Sequence, residues 1–158
     1  MANFNKFNQF VEDLSHKIHD LKTGTTDTFY ILLTNTSPNA ADTVVDTTTG
    51  TCTVKATSNA AEITAGNGYT KGGATCGTVT GAQTSGTFKF TLGTDPVWTA
   101  SGGTIGPFRY AVLYNASAGT TSTRPVIGWW DYASAVTLQI GESFTVDLDQ
   151  TNGVLTLA

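Results

Sequence analysis

Apolar positions near the start of the chain recur with the period of a helix. Phe4, Phe7, Val11, Leu14, Ile18 and Leu21 stand alternately three and four residues apart, the a/d seam of an amphipathic α-helix. Asn5, Lys6, Asn8, Gln9, Glu12, Asp13, Lys17 and Asp20 between them are polar, and His16 and His19 fall on the polar face. Asn3 is placed to cap this helix, and Lys22 with Gly24 to end it. Glu12 and Asp13 reach Lys17 at helical spacing. Such a helix is marginal alone in water, so its seam must pack on the rest of the chain, on a symmetry mate or on another protein. This divides the chain into an N-terminal amphipathic helix over 1–23 and a second unit over 24–158.

After Gly24 the period changes to two. TFYILLTNT (Thr28 to Thr36) reads as a buried strand that SPNAADT breaks, and TCTVKAT (Thr51 to Thr57) alternates like an exposed one. A glycine-rich turn region follows at AGNGYTKGG. Further strands are predicted at Gly86 to Leu92, Phe108 to Asn115, Pro125 to Tyr132, Ala135 to Ile140 and Ser143 to Asp149. GVLTLA closes the chain after the Asn152-Gly153 turn. Phe88, Phe90, Leu92, Phe144, Val146 and Leu148 should face inward, and Lys89, Thr145 and Asp147 outward. Short strands separated by Gly, Asn and Asp turns predict a mainly β fold, a single antiparallel β-sandwich or partial barrel carrying the N-terminal helix.

Composition sharpens this picture. Charged residues make up 13% of the chain and apolar ones, Ala included, 39%, so Thr, Gly, Ser and Asn take most of the remaining positions. A surface of uncharged polar groups is cheap to desolvate against a partner, and equally suits a Thr-rich sandwich with no partner at all. The net charge of −4, with 8 Lys and Arg scattered along the chain, gives no footprint for nucleic acid and no attraction to an anionic membrane. No apolar run approaches the roughly 20 residues of a transmembrane helix, and the N-terminus lacks the pattern of a secretory signal.

Candidate chemistry is sparse. Cys52 and Cys76 are too few for a metal site and stand in no Cys/His motif; they either form one disulfide or, as cytoplasmic synthesis favours, stay as free thiols. Asp147 and Asp149 share a strand face, which reads as solvated rather than as an acid/base pair. With Asn152 they lack the loop pattern of a calcium site. No nucleophile elbow or phosphate loop is present, so no catalytic, cofactor-binding or metal residues are expected. The aromatic residues are more informative. Trp129 and Trp130 are adjacent on a predicted strand, so one should point inward and the other outward, with Trp98 and Tyr132 close by. Such a cluster can be a loop-covered edge, an anchor for a protein interface or a platform for sugar rings. The sequons at Asn35 and Asn115 carry no weight without a secretory signal.

Several long segments add a resemblance. NKFNQFVEDLSHKIHDL, YILLTNTSPNA, EITAGNGYTKGGAT, WTASGGTIGPFRYAVLYN, PVIGWWDYASAVTL and GESFTVDLDQTNGVLTL, in this order over nearly the whole chain, resemble a family of small structural proteins of tailed-bacteriophage virions. The stretch from about Asp46 to Asn59 stands outside the resemblance and reads as an inserted hairpin. The resemblance implies a virion protein made in the host cytoplasm, without catalytic residues or cofactor. A capsid decoration or cement role fits it best, with the major capsid protein or other virion proteins as partners and a homo-oligomer, a trimer or ring, as the assembly. A head- or tail-fibre or neck component with a receptor- or glycan-binding role is the alternative. The helix seam from Phe4 to Leu21 is the expected bridging surface where it is not used within the chain itself.

Overall fold

The computed structural model describes residues 3–158. In chain order the elements are β1 (Phe4–Lys6), α1 (Gln9–Ser15), β2 (Phe29–Thr34), β3 (Val44–Asp46), β4 (Thr53–Lys55), β5 (Ala60–Ala61), β6 (Ala74–Thr75), β7 (Val79–Thr84), β8 (Thr87–Leu92), β9 (Val97–Thr99), β10 (Ile105–Asn115), β11 (Arg124–Leu138), β12 (Ser143–Thr145) and β13 (Leu155–Leu157). Eight strands make one sheet in the order β5-β4-β3-β11-β10-β2-β6, with β1 added beside β11; β13-β8-β7 and β12-β9 form two smaller sheets. All pairings are antiparallel. The mainly β antiparallel class with an N-terminal helix is therefore as the sequence predicts.

The large sheet curls back on itself. Past β5 an isolated bridge joins Thr34 to Glu62, and the Ile63 N–H donates to the Leu33 carbonyl at 2.9 Å. No continuous ladder joins these ends, so the barrel is partial. Curling gives the central strands two apolar faces. In β2, Phe29, Ile31 and Leu33 enter a core shared with Phe90, Leu92, Trp98 and Leu148 of the smaller sheets and their flanks. Leu32 enters a second core with Val45, Cys52, Val54, Val112 and Val126, inside the curl. Burial on both faces is why this strand is an unbroken apolar run. The hairpin expected near 46–59 is β3–β4, pairing Val44 with Lys55 and Asp46 with Thr53. Val54, read from its alternation as part of an exposed strand, is fully buried. The two strands expected at Pro125–Tyr132 and Ala135–Ile140 form one long, bulged strand, β11.

The N-terminal helix expected over 1–23, of which 1–2 lie outside the described residues, is not what the chain makes. Phe4–Lys6 is a strand, with Phe4 opposite Trp130 and Lys6 opposite Gly128, and the helix spans seven residues, Gln9–Ser15. Asn8, not Asn3, precedes it, without a side-chain cap. The predicted seam is split accordingly. Phe7 and Leu21 are buried and Phe4 and Leu14 half-buried, while Val11 and Ile18 are 53% and 42% exposed. Phe10, which the seam omitted, is buried in their place. A free edge of β11 satisfies the backbone of residues 4–6 and takes Phe4 and Phe7 on opposite faces, which a helical seam cannot do. Gly128 permits this, since a β-carbon there would collide with the Phe4 ring. Lys17, at φ +59°, makes no pair with Glu12 or Asp13 and turns the chain after α1. His19, expected on a polar face, is buried.

Candidate docking cleft

β10 and β11 fall out of step near their outer ends. Tyr110 lies opposite Asp131 and Phe108 opposite Val136, so Arg109 alone faces the four residues 132–135. This bulge pushes Tyr132 out to 54% exposure and puts Ala133 at φ +72°, a conformation that persists only where neighbours enforce it. Asp131 does so. Its Oδ1 accepts the Ala133 N–H at 2.7 Å, and its two oxygens accept Arg109 Nε and one terminal guanidinium nitrogen, each at 2.7 Å. The bidentate contact holds the Asp131 carboxyl below the usual carboxylate range and raises Arg109. The guanidinium also lies 5.2 Å from the Tyr110 ring centroid.

Between this bulge and the segment Phe144–Asp147 opens a cleft of about 210 Å³. Phe108, Tyr110, Trp130, Tyr132 and Phe144 wall it, Leu33 and Ala111 also line it, and Arg109, Thr145 and Asp147 contribute polar groups. Phe144 is the hub. Its ring meets Phe108 at 4.8 Å and Tyr132 at 5.7 Å, both edge-on, and stacks on Trp98 at 6.5 Å. Trp98 is buried and supports the cleft from behind. Its charged lining groups are Arg109, which is spent on Asp131, and Asp147, whose Oδ1 accepts the Asp149 N–H. The geometry suits a bulky apolar group held by aromatic walls.

Of the aromatic residues singled out from sequence, Trp130 and Tyr132 meet at the cleft and Trp98 backs it. Trp129 lies on the other face of the sheet, under Phe7 at 4.5 Å, while Trp130 carries Phe4 at 5.1 Å. Neither tryptophan is fully in or fully out as expected; both are half-buried, because the N-terminal segment covers each in turn. Phe108 and Arg109 stand outside that reading, and Phe144 enters it only as an inward-facing strand residue. The lone cation in the apolar run FRYAVLY was the available signal.

The cysteines are free and buried. Cys76 belongs to the core beneath the smaller sheets and Cys52 to the core inside the curl, so the sheet separates them and the disulfide alternative fails. Burial, with Glu62 nearby, pushes the Cys52 thiol up to about 12, and burial raises Cys76 as well. Both are poor nucleophiles. Asp149 caps a turn, accepting the Asn152 backbone N–H and side-chain amide at 2.8 Å each. Among the described residues no group of three or more His, Cys, Asp or Glu is arranged to hold a metal ion. Asn115 is fully buried and closes the turn after β10.

Comparison with family models, with curated proteins and with solved structures returned no match to this chain.

Proposed function

We propose that this chain is a non-enzymatic structural subunit of a bacteriophage virion, most simply a capsid decoration or cement protein that stabilises the particle through contacts with the major capsid protein. The observation that carries the reading is the aromatic cleft. It is an apolar concavity whose arginine is already neutralised, an arrangement fitted to anchoring a neighbour's side chain and poor at polarising a bond. The low density of charge over the chain supports it, because few ions would have to be desolvated on docking. Repetition over a lattice lets each contact be modest, and a trimer or ring is the assembly that suits such a lattice.

A second reading rests on Tyr132, whose exposed ring beside the cleft could stack on a sugar in a fibre or neck component. One experiment separates the two. Purified protein is added to expanded capsids stripped of it, to precursor shells and to host envelopes, alongside Tyr132→Ala. Saturable binding to expanded capsids, raised thermal resistance of the particles and loss of both in the variant support the cement role. Binding to envelopes but not to capsids overturns it.

A further inference from the structure

The N-terminal arm, residues 3–15, is held to the body by more than its phenylalanines. Asp13 of α1 is buried, and the His19 side chain beyond the turn is wholly enclosed. His19 Nε2 faces Asp13 Oδ2 at 3.7 Å, too far for a hydrogen bond, and neither atom has a hydrogen-bond partner in the protein. The other ring nitrogen, Nδ1, lies 3.4 Å from the side-chain nitrogen of Asn115.

The orientation of that amide is fixed. Its oxygen accepts the N–H groups of Ser117 at 3.0 Å and Ala118 at 3.1 Å, and its nitrogen donates to Asp27 Oδ2 at 2.7 Å. Exchanging oxygen and nitrogen would set donors against both N–H groups and an acceptor against the carboxylate. Asn115 therefore presents N–H to the imidazole, Nδ1 must accept, and the ring proton sits on Nε2 toward Asp13.

A second proton would have to go on Nδ1, against the Asn115 amino group. The groups facing the ring come from each packed element: Asp13 and the Phe10 ring from α1, Asp27 from the stretch before β2, and neutral Asn115 from β10. Next to it, Asp20 is held by Lys22 at 2.6 Å and donates its backbone N–H to Asp27 Oδ2. Burial lowers the His19 pKa more than Asp13 and Asp27 raise it.

We propose that Asp13, the neutral imidazole of His19 and the locked amide of Asn115 form a proton-operated latch, closed at neutral pH, whose protonation at Nδ1 frees the arm from β11. The chain already turns at Lys17, between the arm and His19. Opening uncovers Trp129, Trp130 and the strand edge at Gly128–Trp130, all of which the arm covers when closed.

The sign follows from proton counting. An open arm lets His19 titrate near its ordinary 6.5, while the closed arm keeps it neutral to lower pH. Closure is therefore independent of pH above that value. As pH falls through it the open form binds the extra proton, and the open-to-closed ratio rises by up to about tenfold per pH unit. The rise stops below the depressed value of the closed form.

Nitrogen-15 spectra of the two histidines at pH 7.5 test the tautomer in the unaltered protein, and tryptophan emission between pH 8 and 5 tests the release. The latch predicts Nε2–H with bare Nδ1 at His19 and a red shift of emission setting in below about pH 6.5. It predicts the same shift in His16→Gln, an exposed control on the same turn, and loss of that shift in His19→Gln. A doubly protonated or Nδ1–H His19 at pH 7.5 overturns the proposal, whether or not the variants fold. So does an acid response unchanged in His19→Gln.

Discussion

Glu62 and Asp13 are buried to nearly the same degree, at 6% and 7% exposure, and the fold treats them in opposite ways. Every oxygen of Glu62 is engaged. Oε1 accepts the Cys52 N–H at 2.7 Å, and Oε2 accepts the Tyr69 hydroxyl at 3.0 Å and the Gly72 N–H at 2.7 Å. The Tyr69 oxygen in turn accepts the Leu33 N–H at 3.1 Å, and the Tyr114 hydroxyl donates to the Gly72 carbonyl at 2.9 Å. These groups belong to β2, β10, the β3–β4 hairpin and the loop after β5, so the cluster stitches the curled sheet where its regular ladder gives out. Asp13 accepts one bond, from the Gln9 side chain at 3.0 Å, and faces His19 without another. Burying a carboxylate is costly unless donors surround it. The seam at Glu62 meets that condition and is rigid; the arm meets half of it and can yield.

The comparison breaks first at Glu62. Glu62→Leu leaves three donors buried without an acceptor, each worth roughly 1–3 kcal/mol, so a loss of at least about 3 kcal/mol, or no folded protein, is expected by urea unfolding. A loss under about 1 kcal/mol would mean the seam is not what closes the sheet. A smaller effect is expected at Gly128. Gly128→Val drives a side chain into the Phe4 ring, at a cost of about 1–3 kcal/mol for overpacking that lifting of the arm can relieve. Its tryptophan emission at pH 7.5 should match that of the wild type in acid. Unshifted emission would mean that Phe4 does not shield Trp130.

How much of this was legible in the chain depended on where each pattern drew its cause. The strands and their inward residues could be read because alternation reports burial directly: Phe90, Leu92, Val146 and Leu148 are buried as their spacing predicts. The N-terminal helix failed because Phe4, Phe7 and Val11, three and four residues apart, fit a helix as well as a strand followed by a turn. Only the open edge of β11 decides between them, and that edge is assembled from residues more than a hundred positions away. The cleft was half legible. Trp130 and Tyr132 stand in an obvious aromatic run, but Phe144 enters only through the pairing of β12 with β9. Arg109 enters through a bulge with no local signature. Glu62 and His19 were invisible, since an isolated Glu or His in a polar stretch gives no sign of burial.

Below Gly128 in size comes the exchange of the whole Asp13–His19 contact for an apolar one. Asp13→Leu with His19→Phe removes both unpartnered atoms together, and replacing a weakly made polar pair by apolar groups of similar shape is nearly neutral. Stability at pH 7.5 should stay within about 1 kcal/mol of the wild type, and its acid dependence should flatten between pH 7.5 and 5.5. A loss as large as that of Glu62→Leu would show that the two clusters do the same work and would abolish the contrast.

The smallest effect on stability is expected at the rim of the cleft. Arg109 and Asp131 are each about a third exposed on their side chains, at 38% and 34%, and a pair so open to water adds little to folding however good its geometry. Arg109→Gln should leave the urea midpoint unchanged while releasing Asp131. Its carboxyl, held low first by the guanidinium and then by the Ala133 N–H, should titrate closer to the ordinary 3.8, as carboxyl carbon-13 shifts would register. A depressed carboxylate contributes stability above its unfolded value and loses it as pH falls through the folded one, so whatever small difference the pair makes lies near neutral pH, and wild type and variant should coincide in acid. If Asp131 stays as low in Arg109→Gln as in the wild type, the Ala133 N–H alone holds the carboxyl down. The arginine would then be free to meet a partner's acidic group at the mouth of the cleft.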